Sequence, residues 1–129
     1  MTTKELLGKD KFALLLGIEL LEVHEGRAKA KLEIRDDHLN GVQVAQGGAI
    51  FSLADFTLAA AANSHGSIAV SINVSVSFLK AAGKEVLYAE AIEVSRSAKL
   101  ATYTVNVTNQ KNEMIASLQG MVYRKKEMF

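Results

Sequence analysis

Asp55 is the only charged residue between positions 47 and 62, a stretch of glycine, alanine, isoleucine, leucine and phenylalanine in which Ser52 and Thr57 are the other polar residues. A helix that is apolar on every side is a buried helix. A carboxylate inside one loses several kcal/mol of hydration unless it is paired or hydrogen-bonded. Burial without a cation raises its pKa toward neutrality, which suits a general base or a nucleophile. A structural aspartate held by backbone or serine donors also fits the position. Gly47 and Gly48 open the same helix. They let a ligand approach the backbone closely, and the first amides of a helix have no intrahelical partners and carry partial positive charge. Together they form a ready oxyanion hole, or a plain loop-to-helix hinge. Eight residues of helix separate Gly47 from Asp55 by roughly 12 Å, too far to act on one carbonyl carbon. Asp55 of one chain can instead meet Gly47 of an antiparallel helix from a second chain, and two-fold symmetry then gives two identical sites.

The elements that must position these groups are legible in the pattern. Thr3–Leu16 reads as a short amphipathic helical lead-in broken at Gly8. Ile18–His24 and Arg27–Ile34 read as strands joined at Glu25-Gly26, the second alternating Ala28, Ala30, Leu32 and Ile34 with charged residues. Arg35–Ala45 is a polar loop, and Gln46–Ser64 is the one long helix, stopped by Gly66. Ser67–Leu79 alternates throughout, with Ile68, Val70, Ile72, Val74, Val76 and Phe78 on one face and the serines on the other. At about 3.3 Å per residue it spans roughly 40 Å. Strands follow near Glu85–Ser95, Lys99–Thr108 and Glu113–Arg124, with a turn at Asn109–Asn112. One antiparallel sheet wrapped around one buried helix, in a single domain over residues 1–129, accounts for this order. A helix of roughly 27 Å cannot cover so long a sheet, and the remainder invites a partner subunit.

The segment NGVQVAQGGAIFSLAD at Asn40–Asp55, followed by VSINVSVSFL at Val70–Leu79, resembles the hotdog-fold acyl-CoA thioesterases, nearest to their PaaI-like (phenylacetyl-CoA) branch. The likeness runs from about Lys11 to Arg124. Asn40, Gly47, Gly48 and Asp55 match the family's spacing, while Gln46 stands where histidine is usual. The resemblance implies an α+β hotdog fold, a six-stranded antiparallel sheet around one long helix. It implies a homodimer as the minimal unit and usually a homotetramer. The implied reaction is hydrolysis of an acyl- or aryl-CoA thioester, with CoA part of the substrate and no separate cofactor. Asp55 would activate water or attack the carbonyl, the Gly47 amide would hold the oxyanion, and Asn40 would orient groups at the reacting centre. Ser71, from the opposite subunit, would help place the water. Gln46 can donate a hydrogen bond but cannot change protonation near pH 7. A thiol of pKa about 8.5 leaves readily as thiolate, so the chemistry survives the change.

Gly48, Arg96 and Lys99 are the candidate contacts for the CoA moiety, since phosphates can be met by such basic side chains, with Lys80, Lys84 and Lys111 in other loops. His24, His38 and His65 are scattered, near predicted element ends, and read as surface or turn residues with no metal role. Two other functions fit the segment: an acyl-CoA-binding module without turnover, and a dehydratase of hydroxyacyl thioesters, which normally needs the histidine that Gln46 replaces. Composition excludes further classes. With 15 Lys and Arg against 14 Asp and Glu, nothing points to nucleic acid, and without cysteine there is no disulfide scaffold, Cys zinc site or thiol nucleophile. The apolar run Val44–Ala62 is interrupted by Gln46, Gly47-Gly48 and Asp55, and a mid-span aspartate costs about 3 kcal/mol in a bilayer, so no membrane role is expected. The charged start MTTKELLGKDKF lacks a signal-peptide pattern, and the expected location is the cytoplasm.

Overall fold

Two capped turns of helix begin the chain in the structure, a computed structural model that describes all 129 residues. Thr2 caps α1 (Thr3–Leu7) and Asp10 caps α2 (Lys11–Leu16), each side chain accepting from a backbone amide of the first turn. Gly17, at φ 89°, ends α2 in a conformation that suits glycine. The break at Gly8 is where the sequence puts it. Strands β1 (Glu19–His24) and β2 (Arg27–Glu33) pair antiparallel. A loop then leads to α3 (Gly47–Ala62), whose N-cap is Gln46, and a 3-10 turn over Asn63–His65 closes at Gly66. Strands β3 (Ser67–Phe78), β4 (Val86–Arg96), β5 (Leu100–Asn109) and β6 (Met114–Met128) complete the chain.

The six strands form one antiparallel sheet in the order β1-β2-β4-β5-β6-β3, curved around α3. Ile50, Leu53, Ala54, Leu58, Ala60 and Ala61 of α3 are buried against Leu32, Leu87, Val105, Val107, Leu118 and Val122 of the strands. Thr57 is buried with them because its hydroxyl donates to the Leu53 carbonyl at 2.7 Å. The helix is not enclosed on every side, however. Gly48 is exposed, and Phe51, Ser52, Asp55 and Ala59 are half-buried, so one stripe of α3 stays partly open in the single chain.

Strand β3 departs from unbroken alternation. Ser71 pairs with Val122 and Asn73 with Met121, which leaves Ile72 as an extra residue in a bulge. Directly opposed residues share a face of the sheet. Ser71 therefore points inward with buried Val122, and beyond the bulge Val74, Val76 and Phe78 take over the inward face opposite Gly120, Leu118 and Ala116. Val70 and Ile72 are turned out and exposed. The single apolar row expected from the sequence is thus split in two, because one inserted residue exchanges the faces. Strand β6 also runs four residues past the expected end at Arg124, since Met128 pairs with Ser67. That ladder overrides the low strand propensity of Lys125, Lys126 and Glu127.

His38 and His65, read from the sequence as surface or turn residues, both end 3-10 turns, the first buried and the second half-buried. His38 is 3% exposed: its Nδ1 accepts from the Arg35 amide at 2.9 Å and its Nε2 donates to the Leu16 carbonyl at 2.8 Å. His65 donates from Nε2 to Glu93 at 2.8 Å, and the same carboxylate accepts from the Tyr103 hydroxyl at 2.8 Å. His38 bonds to nearby Arg35 and to Leu16, and His65 to Glu93, so each ring is completed by a group distant in sequence, which a scan of local pattern cannot reveal. Burial alone would raise Glu93, but the bonds from His65 and Tyr103, with Arg96 nearby, hold it below the ordinary carboxylate range.

Gly120 lies under Leu58, where a Cβ would stand 2.7 Å from the leucine Cδ2. Gly120→Ala is expected to destabilise the fold by about 1–3 kcal/mol in urea titrations. In a Leu58→Ala background, where that methyl is gone, the same change is expected to cost clearly less. Equal costs in both backgrounds would contradict this packing.

Candidate active site

The loop before α3 is shaped by Asn40. Its Oδ1 accepts from the amides of Val42 at 3.0 Å and Val44 at 3.2 Å, and its own amide donates to the Val44 carbonyl at 2.8 Å. Gln43 takes a positive φ of 67° inside this turn. The Gln46 amide then donates to the His38 carbonyl at 2.8 Å, which fixes where α3 starts. The Gln46 side chain turns back to accept from the Gly48 amide at 2.5 Å. Of the first amides of α3, Gly48 is thereby satisfied, Ala49 and Ile50 reach the Gln46 carbonyl, and the Gly47 amide has no partner within the chain. A side chain at 47 would meet the Phe78 ring, 3.2 Å from an ideal Cβ, and one at 48 would stand 2.6 Å from Gln46 Oε1. A Cβ at either position meets only the end of a side chain, so the Phe78 ring or the Gln46 amide must shift to admit one.

Asp55 lies two turns further along the open stripe of α3. The Ser71 hydroxyl donates to Oδ1 at a long 3.5 Å, a contact that exists only because the bulge at Ile72 turns Ser71 inward. Burial raises the Asp55 pKa above its ordinary value of 3.8; the Ser71 bond pulls it down, and the negative charge of Asp10 raises it further. The resemblance implies that the serine at 71 comes from the opposite subunit, whereas the chain's own Ser71 already stands beside Asp55.

Two adjoining cavities run along this stripe. One, of about 270 Å³, holds Asp55 with Asp10, Phe12, Ile18, Phe51 and Phe56. The other, of about 360 Å³, holds Gln46 and Gly48 with His38, Leu39 and Leu16. Phe12, Phe51 and Ser52 line both, so the two form one apolar groove with Gln46 at one end and Asp55 at the other. Within one chain the groove does not unite Asp55 with Gly47: the helix holds them roughly 12 Å apart. Asn40 lines neither cavity.

Arg96 ends β4 and Lys99 lies in the β4–β5 turn, both exposed. The Arg96 guanidinium rests on His65 Nδ1 and is not free, while Lys99 makes no side-chain hydrogen bond. Lys80 pairs with Glu113 and Lys84 with Asp36. No group of three or more His, Asp or Glu side chains is arranged to hold a metal ion, and no helix is long and apolar enough to cross a membrane. The larger cavity of about 580 Å³, with Lys29, Tyr88, Glu90 and Asn106, contains none of the candidate residues. Nothing in the sequence marked Asp10 and Phe12, beyond one charge and one apolar position of the lead-in, yet both line the cavity of the candidate base.

The family model described as "Thioesterase superfamily" matches residues 43–116, which includes Gln46, both glycines, Asp55 and Ser71. The chain belongs to the thioesterase superfamily. The "Putative esterase" of Archaeoglobus fulgidus is similar to it, 47% identical over 121 residues covering 93% of this chain and 79% of the relative. The "Acyl-coenzyme A thioesterase PaaI" of Escherichia coli is 32% identical over 116 residues, covering 89% and 83%. The solved structure of the E. coli PaaI protein superposes with a TM-score of 0.93 at 30% identity, covering 96% of this chain and 91% of that one. This thioesterase-superfamily chain therefore has the hotdog arrangement of sheet and helix expected from the resemblance.

A carboxylate whose pKa is raised by folding binds protons more readily in the native state. Its ionised form opposes folding at every pH above the native midpoint, and the penalty fades as pH falls toward 3.8. Asp55→Asn is therefore expected to melt at a higher temperature than wild type at pH 7–8, with the difference shrinking near pH 4. A lower melting temperature at pH 7–8 would mean that Asp55 is a structural anchor.

Proposed function

We propose that this chain is an acyl-CoA thioesterase that hydrolyses acyl- or aryl-CoA to free acid and CoA at sites completed by a homodimer. One observation carries this reading. The partnerless amide of Gly47 and the carboxylate of Asp55 belong to the same rigid helix, roughly 12 Å apart, too far for a common substrate carbonyl. An antiparallel copy of α3 across a two-fold axis joins each amide to the other chain's carboxylate. The small residues Gly48, Ser52 and Ala59 on the open stripe leave room for such an approach. Strand β3, an unpaired edge of 12 residues with exposed Val70 and Ile72, supplies a surface for the same two-fold pairing. Pairing of two such dimers to a tetramer remains part of the proposal.

In this reading Asp55 removes a proton from water as the oxygen attacks the thioester carbon, or attacks that carbon itself to give an anhydride that water then cleaves. The Gly47 amide donates to the developing oxyanion. The C–S bond breaks and CoA leaves as thiolate, so no general acid is needed and Gln46 in place of histidine is tolerated. Ser71 steadies Asp55 through Oδ1. Gln46 occupies the Gly48 amide, which leaves Gly47 as the available donor. Arg96 and Lys99 would meet the nucleotide end of CoA, Arg96 after release from His65.

A thiol-release screen over short, long and aromatic acyl-CoAs tests the proposal. Wild type is expected to liberate thiol; Asp55→Asn should lose about 100-fold or more while staying dimeric, and Gln46→Ala should lose less. A variant made monomeric by charged substitutions along β3 should be inactive. Saturable acyl-CoA binding without thiol release would favour a binding module instead, and a fully active monomer would remove the shared site.

A further inference from the structure

The cavity that holds Asp55 contains a second carboxylate, which the reaction described above does not use. Asp10, the N-cap of α2, lines the same space of about 270 Å³. Its position is set by the cap: Oδ1 accepts from the Ala13 amide at 2.9 Å. The helix it caps is itself tied down, because the Leu16 carbonyl at its far end accepts from both His38 Nε2 at 2.8 Å and the Arg35 guanidinium at 3.2 Å. The other oxygen of Asp10 accepts no hydrogen bond within the chain. The walls between the two acids are apolar, with Phe12, Ile18, Phe51 and Phe56. The groups facing Asp55 can be named element by element. Helix α2 presents Asp10, strand β3 presents the neutral Ser71 hydroxyl, and α3 itself adds only Ser52. No lysine, arginine or histidine lines this cavity, and the sequence neighbours Lys9 and Lys11 are exposed outside it. The adjoining cavity at the other end of the groove adds Asp37, His38 and the neutral Gln46 side chain, none of which lines the cavity of Asp55.

We propose that Asp10 is an electrostatic positioning residue of this site, its fixed negative charge making Asp55 a stronger base for the attacking water. The proposal rests on Asp55 being the base. Its physics is that of two like charges sharing a poorly screened space: the group held in place by a helix cap makes the other hold its proton more tightly. The direction of the Asp10 effect on Asp55 agrees with this. A base that binds its proton more firmly, yet is still ionised at neutral pH, transfers protons more effectively. The N-terminal lead-in is then part of the active site, and the tether of α2 to His38 and Arg35 holds the charge in register with α3.

Asp10→Asn tests this cleanly, because asparagine caps a helix as well as aspartate does and removes only the charge. In the variant, the acid limb of the kcat/KM pH profile is expected to move to lower pH, and the rate on the neutral plateau to fall. Asp10→Ser, which also caps, should shift the limb the same way. Raising the salt concentration should narrow the gap between wild type and Asp10→Asn. The titration of the Asp55 side-chain carboxyl carbon, followed by NMR, reads the same coupling without turnover and should move to lower pH as well. An Asp55 midpoint that stays in place or rises in a folded Asp10→Asn protein would overturn the proposal. A midpoint that falls while the kinetic limb stays put would uphold the coupling and contradict Asp55 as the base. A wild type without thiol release would sink the thioesterase reading while the NMR titration still decided this one.

Discussion

The proposed site depends on one carboxylate on the single open stripe of an otherwise buried helix. Asp55 cannot be enclosed by its own chain without a cation, and none is supplied: the only polar contact within the chain is the long one from Ser71. Nor is it left fully in water, because Phe51, Phe56 and α2 crowd around it. The result is a half-desolvated acid with raised proton affinity at the wall of an apolar groove. Everything that holds α3 in the sheet also holds this acid in place, since Leu53, Ala54 and Leu58 around it are fully buried.

The rest of the constellation follows from rigidity. A helix fixes the distance from its first amide to its ninth residue, and no side-chain motion brings Gly47 and Asp55 together in one chain. The start of α3 is over-determined by the Asn40 turn, by the His38 carbonyl and by the Gln46 cap, so the free amide of Gly47 has a fixed direction. At the other side of the site a one-residue bulge in β3 aims Ser71 at Asp55 and sends Val70 and Ile72 outward to an unpaired edge. The same insertion thus serves the acid and leaves the edge apolar, and the proposed dimer uses both.

Most of the fold was legible from periodicity and punctuation. Gly8 and Gly26 break where the pattern predicts, the long helix starts within one residue of Gln46, and all six strands stand in the expected order. The expectation of a partner came from a sheet too long for one helix to cover, not from the apolar residues of β3. What escaped was non-local. A bulge leaves unbroken alternation in the sequence, because the extra residue is extra only relative to β6. His38 and His65 are turn residues as the pattern suggests, but their rings are engaged by Leu16 and Glu93, which arrive from elsewhere in the chain. Asp10 reads only as one charge of the N-terminal lead-in; it caps α2, and its place beside Asp55 depends on how α2 packs on α3. Asp55 and Gly47 were the easiest to find, since each breaks a local rule: a charge in an apolar helix, and a glycine at its first position.

The proposed shared site is tested most directly by complementation. Gly47→Pro removes the proposed oxyanion donor at the first helical position, where proline is tolerated. Gln46, at φ −66° and ψ 137°, already has the extended backbone that a following proline requires, and only the Phe78 ring must give slightly. Gly47→Pro and Asp55→Asn should each be inactive alone. Mixed by co-expression, they form heterodimers in which one of the two sites has both an intact amide and an intact carboxylate, so about a quarter of wild-type thiol release should return. Mixtures that contain folded heterodimers yet recover no activity would contradict a site built from two chains.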